Sequence, residues 1–261
     1  MKINIVFTIT EDWAYYNLIT ISTILKKANP NDEYCFYIIS SSLSDGNKSN
    51  FLKLNKLRNA QYEFIQVNDE EFTPFTNNPL GNVANYRLKI PELISEEKVL
   101  FLDVDLVIRS DIAELYSYDI SDYYSAGVED KQFEMRERIK LPPDQQYTNG
   151  GVLLMNLDKL RKNNFYELSR KMLSEKTYLN DQDAVNEFSG NKLLKLPLKY
   201  NVMLVIGKNK YRNRREEYLQ AIQNPVILHL SACKPWDTVP QLCPVEWKIA
   251  ADEVQKLLTD N

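Results

Sequence analysis

The sequence predicts an α/β protein with a mostly parallel, twisted central sheet flanked by helices. Three observations point there. Residues 3–67 alternate strand and helix patterns in a β-α-β-α-β order, which builds parallel sheets. Residues 99–108 form an apolar run without helical period, as expected of a strand buried on both faces. Polar residues able to do chemistry follow the strands, where ligand crevices of open α/β sheets lie.

The first strand covers 3–9 and leads into Trp13 and a helical pattern that runs to Lys27 and stops before Asn29-Pro30. A second strand covers 34–39. A helix starting at Ser44 carries Phe51, Leu54 and Leu57 on one face, and a third strand covers 62–67. No glycine-rich phosphate loop follows the first strand. The stretch Thr8-Ile9-Thr10-Glu11-Asp12 therefore disfavours nicotinamide, flavin and P-loop ATP sites. Any diphosphate would need a metal and cationic side chains instead.

Within 99–108, eight apolar residues surround Asp103 and Asp105. On one continuous strand, positions i and i+2 face the same way. Two unpaired carboxylates held there repel, and a divalent cation with hard oxygen ligands, Mg²⁺ or Mn²⁺, relieves them. On that reasoning, removing one acid leaves stability unchanged or higher. The competing possibility is that both acids reach solvent or pair with Lys or Arg.

Residues 123–128 read as a strand ending in Glu129-Asp130, and 131–144 as a polar excursion. Asn149-Gly150-Gly151 precedes the apolar stretch 152–155, and paired glycines there permit close approach of backbone or ligand. Asp158 is a candidate N-cap for a helix over 158–173. A further helix begins at Asn180-Asp181-Gln182-Asp183, where acids and amides are also ordinary capping residues. The basic segment 208–215 suits a solvated loop or contact with an anionic acceptor or membrane surface. A strand over 225–230 delivers His229, the only histidine, with Lys234 close behind. Any imidazole-dependent chemistry must use His229.

Composition narrows the class. The 261 residues carry a net charge of −4 and a pI near 5.3, which argues against a nucleic-acid partner. Cys35, Cys233 and Cys243 lack CxxC spacing, so neither a disulfide framework nor a structural zinc site is indicated. No signal-like segment or apolar run of membrane-spanning length occurs. The expectation is a cytoplasmic protein with at most peripheral contact at the inner face of the membrane.

Taken together, Phe101-Leu102-Asp103-Val104-Asp105 (a D-x-D motif), residues 149–156, Asp181-Gln182-Asp183-Ala184-Val185-Asn186, and His229 with Lys234-Pro235-Trp236 resemble glycosyltransferase family 8. The strand-helix pattern from Ile3 and Tyr86-Arg87-Leu88-Lys89 fit the same family. The resemblance implies a GT-A fold over 1–236, with 237–261 as a C-terminal helical extension. It also implies a retaining hexosyltransferase that uses UDP-galactose or UDP-glucose as donor and a glycan or glycolipid as acceptor.

By that resemblance, Asp103, Asp105 and His229 ligate Mn²⁺, with Mg²⁺ as the alternative, and Val104 belongs to the same donor site. Thr8, Thr10 and Asp12 match contacts to uracil and ribose. Arg87, Asn149, Gly151, Asp181 and Gln182, joined by Glu129 or Asp130, match the donor-sugar site, and Lys234 matches a phosphate contact. Gln182, Asp181 and Asp183 are the candidates for the reacting centre.

Two departures from the family pattern stand out. Thr10 replaces an acid, and the segment from His229 to Lys234 is one residue short, with Ala232 where the family has glycine. The rival expectations are a haloacid-dehalogenase-like phosphatase, whose first motif is also D-x-D, and a degenerate sugar-nucleotide-binding protein without turnover.

Overall fold

Seven strands form the main sheet of the protein, a computed structural model that describes residues 1–75, 81–130, 133–176, 179–204, 215–231, 234 and 243–259. The predicted basic segment 208–215, apart from Arg215, lies outside the described residues, as do Ala232, Cys233 and the Pro235-Trp236 of the family motif.

The N-terminal alternation folds as its pattern demands. β1 (Lys2–Thr8), β2 (Glu33–Ser40) and β3 (Gln61–Gln66) pair in parallel, connected by α1 (Ala14–Lys27) and α2 (Asp45–Lys53). β1 and β2 are buried at every position after the first, which is why they read as continuous apolar runs. Ser44 caps α2 by accepting from the Asn47 N–H at 3.2 Å.

The chain then returns through α3 (Tyr86–Leu93) to place β4 (Lys98–Leu102) on the other side of β1. Strand order therefore reverses between β1 and β4. Brief elements follow: β5 (Leu106–Ile108), α4 (Ala113–Ser117), β6 (Ser125–Glu129) and α5 (Phe133–Arg138).

β7 (Thr148–Asn156) runs antiparallel between β4 and β6, and β8 (Leu193–Leu196) pairs in parallel with β6. The sheet order is β3-β2-β1-β4-β7-β6-β8. Six strands share one direction and β7 opposes them, a mostly parallel α/β sheet as expected.

Three expectations change. The apolar run 99–108 is not one strand. β4 ends at Leu102, and β5 belongs to a second, three-stranded sheet in the order β5-β10-β9, with β9 (Val202–Met203) and β10 (Ile227–His229). Asp103 and Asp105 thus sit on the crossover between two sheets, and strand alternation does not orient them.

The helix expected over 158–173 is two, α6 (Leu157–Lys162) and α7 (Phe165–Glu175), separated at Asn164, whose φ of 54° is left-handed. Asn156 rather than Asp158 caps α6, accepting from the Lys159 N–H at 3.0 Å. Asn149 and the two glycines lie inside β7, not ahead of it.

The chain is completed by α8 (Asp181–Ser189), α9 (Arg215–Gln223) and α10 (Val245–Thr259). α10 buries Ala250, Ala251 and Val254 in the same core as β1 and α1. The Tyr15 hydroxyl of α1 donates to the Ala251 carbonyl at 3.2 Å. α1 is the hinge-pin between the sheets: Leu18 to Leu25 are all buried. Its Thr20 hydroxyl lies 2.6 Å from the Val104 carbonyl and 3.1 Å from that of Leu106. Among the described residues, no helix is long and apolar enough to cross a membrane.

Candidate active site

The backbone of the crossover Asp103-Val104-Asp105 is pinned from three sides. The Asp103 N–H donates to the Gly151 carbonyl of β7 and the Leu230 N–H to the Asp105 carbonyl, both at 2.9 Å. Thr20 holds the Val104 carbonyl from α1. The acids are therefore carried at the carboxyl end of β4, beside the switch between β1 and β4, where a ligand crevice is expected.

His229, at the end of β10, completes a cluster. Its Nε2 lies 3.4 Å from Asp105 Oδ2 and 3.8 Å from Asp103 Oδ2. One ligand atom from each of the three residues lies within 4.8 Å of the others. Two carboxylate oxygens and one imidazole nitrogen are a donor set suited to Mn²⁺ or Mg²⁺.

The cluster is not a pair of repelling acids. The Lys234 ammonium lies 2.5 Å from Asp105 Oδ2, and Arg87 Nη2 lies 3.4 Å from Asp103 Oδ1. Burial by itself pushes the Asp105 carboxyl up, but His229, when protonated, and the Lys234 ammonium beside it outweigh that and hold it well below the usual carboxylate range. Removing Asp105 would leave a half-buried ammonium and a buried imidazole without it, so the expected stability gain does not apply.

Gly151 explains how these groups come so close. A Cβ there would stand 2.4 Å from His229 Cε1 and 2.8 Å from Asp103 Oδ2, and one at Gly150 would stand 2.4 Å from Arg87 Nη1. The paired glycines admit side chains, not backbone.

Arg87 joins the cluster to α8. It is 7% exposed, with Nε 2.8 Å from Asp181 Oδ2 and Nη1 donating to the Gly150 carbonyl at 2.8 Å. Its guanidinium carbon sits 4.4 Å from the Phe101 ring centroid. Gln182 is held as firmly: its Oε1 accepts from the Gly150 N–H at 2.7 Å and its Nε2 donates to the Tyr147 hydroxyl at 3.1 Å.

Asp183 is not brought to the cleft. Fully buried, it accepts from Tyr147 Oη at 2.7 Å and from Arg138. It also closes a capping box with Asn180. Burial first, and this carboxylate second, push the Tyr147 hydroxyl well above its ordinary value, so it keeps its proton.

The other predicted positions divide. Thr8 and Val104 line the cleft together with Trp13, Val83 and Ala84. Asp12 is exposed in a short turn beyond it, and Thr10 makes no side-chain cap bond there. Glu129 turns to Lys195 at 2.8 Å, on the wall of a different cavity. Asp130 is buried at 1% exposure, next to the start of β7.

Asn149 holds two donors on its Oδ1, the Gly151 N–H and Asn201 Nδ2, each at 2.9 Å. The residues not foreseen are Asn201, Tyr147, Arg138 and Trp13. None lies in a recognisable motif, although Asn201 directly follows Tyr200 at the entry to β9. A wider cavity of about 550 Å³ opens at the other end of β4, near Glu97 and Lys98. It lacks the acid and imidazole cluster, so chemistry and not size identifies the site.

Comparison with known proteins agrees. The family described as "Glycosyl transferase family 8" matches residues 4–239. General stress protein A of Bacillus subtilis (strain 168) is 25% identical over 231 residues, covering 83% of this chain and 81% of that protein. Lipopolysaccharide 1,2-glucosyltransferase of Escherichia coli is 27% identical over 251 residues, covering 89% and 73%. A protein of Haemophilus influenzae named as a glycosyltransferase is 27% identical over 209 residues, covering 76% of this chain and 62% of that protein. The crystal structure of the galactosyltransferase LgtC with donor and acceptor sugar analogs superposes with a TM-score of 0.81. It is 23% identical, with 98% of this chain and 95% of that one covered. At that identity the superposition establishes the shared fold.

Proposed function

Because the chain belongs to glycosyl transferase family 8, we propose that it moves galactose or glucose from a UDP-sugar to a glycan or glycolipid acceptor, with retention of configuration. Membership of that family removes the phosphatase alternative. The glucosyl transfer named for the Escherichia coli relative supports an acceptor in polysaccharide or lipopolysaccharide synthesis.

The observation that carries the proposal is the joining of two constellations through Arg87. One is the Asp103/Asp105/His229 cluster, and the other is Asp181 with Gln182. A divalent cation on the first would neutralise the diphosphate and stabilise charge on the departing UDP. Lys234, already at Asp105, is within reach of the same phosphates once it leaves that carboxylate.

Asp181, oriented by Arg87, supplies an acceptor for sugar hydroxyls. Gln182 offers a fixed carbonyl dipole to positive charge on the sugar's reacting carbon. An amide is a poor nucleophile beside the carboxylate of retaining glycosidases. The only nearby acid on α8 beyond Asp181 is Asp183, which is buried in its own network. Both facts support front-face attack over a covalent intermediate. A glycosyl adduct on Gln182 or Asp183, seen by mass spectrometry, would overturn that mechanism.

The test of function is UDP release across a panel of nucleotide sugars with Mn²⁺, Mg²⁺ or chelator. Metal-dependent release from a UDP-hexose is expected. A rate indifferent to chelator sinks the cation assignment. Tight UDP-sugar binding without turnover on any acceptor supports a degenerate binding protein instead.

A further inference from the structure

His229 is oriented by a chain of hydrogen bonds whose polarity is dictated by a backbone group. The Gly151 N–H can only donate, and it does so to Asn149 Oδ1 at 2.9 Å. That fixes which end of the Asn149 amide is oxygen. The same oxygen meets an Asn201 amide atom at 2.9 Å, which must therefore be the Nδ2 donor. The other end of Asn201, its Oδ1, then faces His229 Nδ1 at 2.9 Å.

An amide oxygen can only accept, so in the neutral ring the imidazole proton sits on Nδ1. The lone pair is left on Nε2, the atom facing Asp105 and Asp103. The opposite tautomer would set two lone pairs against each other at 2.9 Å, and its Nε2 proton would meet Asp105 only at 3.4 Å and Asp103 at 3.8 Å. Asn201 is fully buried and His229 is 2% exposed, so water is poorly placed to relieve that conflict.

We infer that Asn201 is a positioning residue for the cation site: it fixes the His229 tautomer and ring orientation so that Nε2 can ligate. This deepens the proposed function, since it rests on Asp103, Asp105 and His229 holding a divalent cation. Asn149 anchors the arrangement and also donates to Gln182 Oε1 at 3.4 Å, which ties the orientation of His229 to that of the donor-sugar side. Groups that orient a ligating imidazole through its second nitrogen typically matter by about 10–100-fold in metal affinity.

His229 is the only histidine in the chain, so nitrogen-15 NMR of histidine-labelled, metal-free protein reads one imidazole without assignment. At a pH where the ring is neutral, the proton is expected on Nδ1. A second measurement is Mn²⁺ affinity by calorimetry without nucleotide, alongside melting temperature. Asn201→Leu, which has no acceptor, should bind about 10–100-fold more weakly. In metal-free Asn201→Leu, where nothing accepts from Nδ1–H, the proton should move to Nε2, which faces the two carboxylates.

A wild-type imidazole with its proton on Nε2 overturns the inference, even if Asn201→Leu fails to fold. Wild-type affinity in Asn201→Leu does so too, as does a nitrogen-15 spectrum of that variant identical to the wild type. Failure of the wild type to bind Mn²⁺ sinks the underlying cation assignment. Mn²⁺ binding with an Nε2 proton in the free protein sinks only the role given to Asn201.

Discussion

Gly151→Ala places a methyl group where the structure has no room for one. Its Cβ would lie 2.4 Å from His229 Cε1, whereas ordinary contact begins at 3.4 Å. The imidazole must withdraw by about 1 Å, or β7 must shift by as much. Neither is easy, because His229 is hydrogen-bonded to Asn201 and β7 is paired on both edges. Overpacking of this kind costs about 1–3 kcal/mol, which corresponds to a melting temperature roughly 2–12 °C lower for a chain of this size.

The effect on function should exceed the effect on folding. A displacement of ~1 Å at a reacting constellation costs on the order of 100-fold in turnover. Mn²⁺ affinity should fall on the order of tenfold or more, as for other disturbed ligand settings. Calorimetric titration with Mn²⁺ and thermal melting measure the two effects separately. Gly46→Ala is the control: its Cβ meets nothing nearer than Ser44 Oγ at 3.8 Å, so melting should be unchanged or slightly higher. A Gly151→Ala protein that binds Mn²⁺ as tightly as wild type would refute the reasoning.

Four other outcomes are expected. Lys234→Met removes the ammonium that competes for Asp105 Oδ2, so Mn²⁺ should bind more tightly without nucleotide while UDP binds more weakly, both readable by calorimetry. Because the folded Asp105 carboxyl is held low, its contribution is fully present above the unfolded value of about 3.9 and is lost as pH falls below that. In chelator, the stability gap between wild type and Asp105→Asn should accordingly narrow as pH drops below ~4 in denaturant titrations. Asp183→Ala strips a buried carboxylate from Arg138, Tyr147 and the Asn180 N–H and should cost about 3–5 kcal/mol. Gln182→Ala should melt near wild type yet lose UDP release, and the reverse order would show the two roles exchanged.

The pattern of residues 3–67 carried the first half of the sheet plainly, because strands buried on both faces are apolar at successive positions and helices between them are not. Family motifs brought Asp103, Asp105, Arg87, Gln182 and His229 to attention from distant parts of the chain. Asp183 was the misleading member. It shares a motif with Gln182, but a one-residue step along α8 turns it from the cleft into the network of Arg138 and Tyr147.

Local residue order was enough to specify the alternating elements and the identities of the metal-competent side chains, since both depend on near neighbours and residue chemistry. The break of the apolar run at Leu102 was decided by pairing: β4 ends with Val152 of β7 opposite Leu102, and β5 finds β10 instead. The pairing of Lys234 with Asp105 joins residues far apart in the chain, as does the line from Gly151 through Asn149 and Asn201 to His229. Such contacts exist only after two sheets have packed around α1, and spacing along a single chain cannot express them.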